Sequence, residues 1–187
     1  MKISYRFTLL AAMLIPALLI CPTGAKSEVP GYADFLPAWQ CVGSSCMVDD
    51  ESLTKYANHL NYFAFKYGAT GWITSRCTVL SPLPTSSPNW DGLIVDYNDA
   101  DGVGGASQVK VYLRRYARAT GLTYTVAVFD SNTSPITTRT EGLQKFQHTF
   151  DFLNNEYYVE LKVYRANSST FPRIHAVRVC PVSGIPN

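Results

Sequence analysis

Between Ser107 and Ala119 the side chains alternate so strictly that only a strand with one wet face accommodates them. Val109, Val111 and Leu113 recur on one side, and Gln108, Lys110, Tyr112, Arg114, Tyr116 and Arg118 on the other. A period of two is the pleat of a β-strand, whose successive side chains point to opposite faces. Thr120-Gly121 then supplies a turn, and Leu122, Tyr124, Val126 and Val128 alternate with Thr123, Thr125 and Ala127, which predicts a hairpin of two long strands. Arg115 falls in phase with the apolar set, so either the inward run ends there or a bulge resets the register.

Similar patterning predicts strands at Asn61–Tyr67, Gly71–Leu80, Gly92–Asn98, Gln144–Leu153, Glu156–Arg165 and Arg173–Cys180, eight in all with the hairpin. Segments rich in Pro, Gly, Ser, Asn and Asp separate them, at 81–89, 99–105, 131–142, 154–155 and 167–170. No helical pattern of about 10 to 15 residues intervenes, which excludes a parallel βαβ architecture. Only Asp49-Asp50-Glu51, followed by Leu53, Tyr56, Ala57 and Leu60 at helical spacing, predicts a short helix. The expected fold is all-β: an antiparallel two-sheet β-sandwich of about eight strands, with jelly-roll or immunoglobulin-like connectivity.

The first 25 residues read differently. Lys2 and Arg6 lead into an apolar run, Phe7 to Ile20, too short to cross about 30 Å of hydrocarbon, and Cys-Pro-Thr-Gly-Ala follows with the small residues of a signal-peptidase site. Cleavage is expected after Ala25, and the mature chain is expected to be secreted or periplasmic. The rival cut, a lipid-bearing Cys21, is opposed by Ile20, which stands where a lipoprotein signal calls for a small residue. Beyond the signal peptide at 1–25, an N-terminal arm is expected at 26–48 and the sandwich domain at 49–187, with no transmembrane span in the mature form.

Removing that leader changes two counts. The formal charge of +2 rests on 16 basic and 14 acidic residues, so loss of Lys2 and Arg6 leaves a neutral chain without the basic footprint that nucleic acid requires. Cys21 leaves as well, and Cys41, Cys46, Cys77 and Cys180 remain as an even set for an oxidising compartment. Of the three connectivities, Cys41 with Cys46 across a turn-prone segment, and Cys77 with Cys180 across most of the domain, is the expected one. A zinc site is disfavoured by the absence of a second C-x-x-C or a neighbouring His.

Catalytic motifs are absent: the chain has no G-x-S-x-G, H-E-x-x-H, P-loop or strand-to-helix G-x-G-x-x-G. Its three histidines, His59, His148 and His175, include two that alternate with apolar neighbours and read as structural. Calcium is the one cofactor the sequence leaves room for, at Asp96, Asp99 and Asp101, whose spacing departs from the EF-hand pattern. The most suggestive set is the ladder Lys110, Tyr112, Arg114, Tyr116 and Arg118, in which phenol rings alternate with cations about 6.6 to 7 Å apart. Rings pack against sugar faces while cations donate to hydroxyl, carboxylate or sulfate oxygens. Tyr158, Glu160, Lys162 and Tyr164 extend that surface if their strand is a neighbour. The expected function is a secreted, non-catalytic binding module for a glycan or a cell-surface protein. A structural or assembly subunit is the alternative, and third is a glycan-active hydrolase using Asp96 or Asp99 with Glu156 or Glu160.

Overall fold

The computed structural model describes residues 38–81, 87–135 and 137–182; the expected leader, with Cys21, lies outside them. The described chain forms β1 (Trp39–Val42), β2 (Met47–Val48), β3 (Tyr56–Asn58), β4 (Phe63–Phe65), β5 (Gly71–Val79), β6 (Gly92–Asp99), β7 (Ser107–Ala117), β8 (Leu122–Asp130), β9 (Thr137–Lys145), β10 (Asn155–Arg165) and β11 (Arg173–Cys180). All pair antiparallel in two sheets. One runs β3-β4-β11-β6-β9, with β1 also on β11, and the other runs β2-β5-β10-β7-β8. From β4 onward the strands divide as 4-11-6-9 and 5-10-7-8, which is the double Greek key of a jelly roll.

The core lies between the sheets. Val109, Val111 and Leu113 of β7 and Val159, Leu161 and Val163 of β10 face Leu93, Val95 and Tyr97 of β6 and Ile174, Val177 and Val179 of β11, all buried. At the edge of this layer the buried Arg165 guanidinium donates to the carbonyl oxygens of Ala69 (2.7 Å) and Lys66 (3.0 Å). Its charge-assisted bonds join the end of β10 to the β4–β5 turn.

Several expectations are corrected. The described part of the expected arm is no appendage: Trp39–Val42 pairs with β11 and Met47–Val48 with β5, one strand for each sheet. The helical turn shrinks to a 3₁₀ segment at Asp50–Ser52, because Tyr56–Asn58 is drawn into pairing with β4. Residues 137–142, expected as loop, form with 143–145 an edge strand against β6; Glu141, Leu143 and Lys145 are all exposed, so no burial pattern marks it. Residues 146–153, expected as strand, cross from β9 to β10 in no sheet. There Phe150 is fully buried, against Trp90 (5.2 Å between centroids) and Tyr157 (4.8 Å), so its alternation records packing rather than pairing.

The hairpin carries the bulge that Arg115 signalled, on the partner strand. Leu113 faces Ala127 but Arg114 faces Thr125, leaving Val126 as the extra residue. Phases on β8 therefore switch at Val126: Ala127 and Phe129 are buried and Val128 exposed, whereas Tyr124 stands opposite Arg115, whose guanidinium lies 4.5 Å from its ring.

Neither expected disulfide is formed. Cys46 bonds Cys77, and Cys41 and Cys180 are free thiols. Cys77 on β5 and Cys180 on β11 belong to different sheets, and Cys180 packs with Ile94 and Val182 in a separate small cluster. The bridge that does form spans 31 residues, worth about 3 to 4 kcal/mol in the chain-entropy model.

Two outcomes are expected. Phe150→Ala lowers unfolding free energy by about 3 to 5 kcal/mol in urea titrations. Burial, helped by the Arg115 charge, holds the His148 imidazole below its ordinary value, and its Nε2 lies 3.0 Å from the Tyr157 hydroxyl, which itself accepts from the Asp151 amide. A depressed imidazole leaves the fold fully stabilised above about pH 6.5 and weakens it as pH falls toward the lowered value. Melting temperature therefore declines through mildly acidic pH, and His148→Gln flattens part of that decline.

Candidate functional site

Three strands in unbroken register create a continuous outer face. Beside β10, β7 pairs Tyr116 with Glu156, Arg114 with Tyr158, Tyr112 with Glu160 and Lys110 with Lys162, and β5 pairs Thr78 with Tyr158, Arg76 with Glu160 and Trp72 with Tyr164. The two sets anticipated from sequence thus lie side by side. Trp72 and Arg76 join them from β5; their signal was the same alternation within residues 71–79, and only the pairing of β5 to β10 reveals the connection. Arg118 lies past the end of β7, donating to Glu156 (2.9 Å) and to the Leu153 carbonyl (2.8 Å), at one end of the face.

Five rings stand on this surface. Trp72 and Tyr164 meet at one end with centroids 5.0 Å apart, Tyr112 lies centrally, and Tyr158 and Tyr116 lie toward the other end. Trp72 and Tyr116 are 37% and 38% exposed, enough to offer ring faces to a partner. From Tyr158 to Tyr164 is about 20 Å along β10, so a ligand here lies along the face and is not enclosed.

The charges between the rings are matched. Arg114 donates to Glu160 (3.3 Å) and covers Tyr112 at 4.3 Å; Lys110 pairs with Asp130 (3.2 Å), Arg76 with Asp49 (2.6 Å), and Lys162 lies 3.9 Å from Glu160 and 5.5 Å from the Trp72 centroid. Such pairs contribute little to stability but hold donors and acceptors in fixed positions. The result is a nearly neutral surface where rings alternate with oriented polar groups.

The acidic loop does other work. Asp96 points outward and is held by Arg139 in a two-pronged contact (2.7 and 3.1 Å), whereas Asp99 is buried, accepting from Ser107 (2.6 Å) and Ser131 hydroxyls. Asp101 accepts from the amides of Ala106 (2.6 Å) and Ser107 (2.9 Å). Among the described residues no three carboxylates converge, so the expected calcium set is instead two structural carboxylates and one surface ion pair. Burial pushes the Asp99 carboxyl up; at Asp101 burial pushes the same way but is outweighed by hydrogen bonds from Ser107 and Ala106, which leave it below the usual value.

Across the sandwich, the outer face of β11, β6 and β9 carries a hollow of roughly 520 Å³ lined by residues such as Gln40, Val42, Ser45, Asp96, Glu141 and Arg178. Among the described residues no aromatic ring lines it, and its charges are engaged as Asp96–Arg139 and Glu141–Arg178 pairs. Nearby His59 stacks on Tyr62 (4.2 Å between centroids), which also meets the edge of the His175 ring. The carboxylates considered for hydrolysis do not meet: Asp96 faces this side, Asp99 is buried, and Glu156 and Glu160 lie on the opposite sheet. A sandwich core about 10 Å thick separates Asp96 from the two glutamates, and Asp99 is taken up inside the fold by the Ser107 and Ser131 hydroxyls.

No protein-family model and no curated protein sequence matches the chain. Among solved structures, it is similar to a xylan-binding module, CBM15 (11% identity, TM-score 0.46, covering 78% of this chain and 96% of that one). It is also similar to a carbohydrate-binding module, CBM36, in complex with calcium and xylotriose (11%, 0.36, 76% and 99%), and to the Agl-KA catalytic domain (13%, 0.39, 82% and 30%).

Asp101→Ala strands two backbone donors and is expected to cost about 2 to 3 kcal/mol in denaturant titration. The stability Asp101 supplies is complete above the ordinary carboxylate range and is lost as pH falls through its lowered value. Added Ca²⁺ is expected to leave the wild-type melting temperature unchanged.

Proposed function

We propose that this chain is a secreted or periplasmic, non-catalytic carbohydrate-binding module whose ligand lies along the outer face of β5, β10, β7 and β8. The observation that carries the reading is the joining, in one continuous register, of Trp72, Tyr164, Tyr112, Tyr158 and Tyr116 with oriented Arg, Lys and Glu side chains. Sugar rings present apolar C–H faces and peripheral hydroxyls, and this surface offers both complements. Because Lys110, Arg114, Lys162, Arg76 and Arg118 each lie against a carboxylate, a neutral glycan suits the face better than a sulfated or uronic one.

Glycan-array screening followed by calorimetry tests this. Trp72→Ala and Tyr112→Ala are each expected to weaken binding by about 1 to 2 kcal/mol, roughly five- to thirtyfold, with the melting temperature little changed. Unchanged affinity in both variants places the ligand elsewhere. Export is tested by mass spectrometry of the mature N-terminus, with Lys26 expected first and a diacylated Cys21 overturning the cut.

A second reading, an assembly subunit, draws on β8, which is an edge strand among the described residues and carries exposed Leu122, Tyr124 and Val128. A dilution-stable oligomer in light scattering favours it, and a monomer favours the binding module.

A further inference from the structure

Three sulfur atoms meet where the N-terminal strands join the sandwich. Cys41 on β1, Cys46 just before β2 and Cys77 on β5 bring their Sγ atoms within 4.8 Å of one another. Only Cys46 and Cys77 are bonded, and the Cys41 thiol stops 3.7 Å from the Cys46 sulfur, in contact with it. We infer that this cluster is an intramolecular thiol–disulfide exchange centre, giving the chain two disulfide states: Cys46–Cys77 with a thiol at Cys41, and Cys41–Cys46 with a thiol at Cys77.

The step balances within the chain. Cys41 gives its proton to solvent, the resulting thiolate attacks the Cys46 sulfur, and the Cys41–Cys46 bond forms as the Cys46–Cys77 bond breaks. The displaced electron pair leaves on the Cys77 sulfur, which takes up a proton, so one thiol and one disulfide exist before and after and neither oxidant nor reductant is consumed. Cys41 lies beside the existing bond and not along it, being close to both sulfurs, so a rotation of its side chain precedes attack. Burial pushes the Cys41 thiol up to about 12, which keeps the thiolate scarce at neutral pH. Exchange is accordingly slow, on the minutes-to-hours scale of uncatalysed rearrangements. Cys180 takes no part, since it packs with Ile94 and Val182 in the separate cluster.

The two states differ in what they restrain. In the observed one the bridge fastens the β1–β2 segment to β5. In the exchanged one the bridge closes only the short turn around Gly43–Ser45, and β2 is held to β5 without a covalent link, by the Met47–Arg76 and Val48–Ser75 pairs and the Asp49 and Ser52 contacts to Thr74 and Arg76 that follow them. Arg76 belongs to the candidate binding face, so exchange loosens one margin of that surface while leaving β10, β7 and β8 untouched.

Peptide mapping of the full chain, prepared without reductant, decides the matter. After incubation in mildly alkaline buffer, free thiols are alkylated under denaturing conditions and the chain is digested with trypsin without reduction. Cys41 and Cys46 fall in one tryptic peptide and Cys77 begins another, directly after Arg76. Exchange is expected to produce an internally bridged Cys41–Cys46 peptide and alkylated Cys77, both increasing with time. In Cys41→Ser, which retains the observed bridge, Cys77 labelling is expected to fall to background, and Cys77→Ser is expected to contain the Cys41–Cys46 bridge. Cys77 that never becomes labelled in the wild type, or is labelled equally in Cys41→Ser, overturns the inference.

Discussion

The antiparallel ladder that seats β10 between β5 and β7 is the constraint on which the rest of the molecule depends. Its register runs without a bulge along both sides of β10. An uninterrupted pleat sends Val159, Leu161 and Val163 inward and Tyr158, Glu160, Lys162 and Tyr164 outward without exception. A one-residue slip on either side would exchange the two sets, exposing the core and burying charges, which is why burial on one face holds the other face in place. The candidate binding surface is thus a by-product of core packing, ordered because the hydrophobic side cannot move.

Irregularities are placed away from that ladder. The bulge at Val126 lies on the outer strand β8, where it sends the end of the hairpin into a different phase and leaves Leu122, Thr123, Tyr124 and Thr125 exposed. A second irregularity, at His175 on β11, lies in the opposite sheet beside the Tyr62 and Arg173 side chains. Buried polar groups serve the same economy of structure: Asp99 accepts from Ser107 and Ser131 and so ties β6 to the start of β7 and the end of β8, and Arg165 closes the far end of β10. Each is satisfied by hydrogen bonds, without which its burial would cost more than the surrounding packing returns.

The sequence was most legible where one strand face meets the core and the other meets water. Lys110 to Tyr116 and Tyr158 to Tyr164 were readable as outward sets for that reason. It was least legible where burial and pairing part company. Residues 137–145 pair with β6, yet Arg139, Thr140, Glu141, Leu143, Gln144 and Lys145 are all exposed, so no alternation betrays the strand, whereas Phe146, Phe150 and Phe152 alternate because they fill the end of the core, without a strand partner. The acidic cluster misled for a related reason. Asp96, Asp99 and Asp101 are neighbours in sequence, but the pleat and the following turn send their carboxylates to Arg139, to two serines and to the backbone of 106–107.

Sequence alone determined the all-β class, the antiparallel sandwich and the polarity of the long strands, since a period of two is a local property carried by adjacent residues. Tertiary structure alone decided the jelly-roll order, the addition of Trp72 and Arg76 to the outer face, and the choice of Cys46–Cys77 over either expected bridge. Those outcomes depend on which strand edges meet after long loops close, and that free energy is shared across the whole core, with no short segment carrying it.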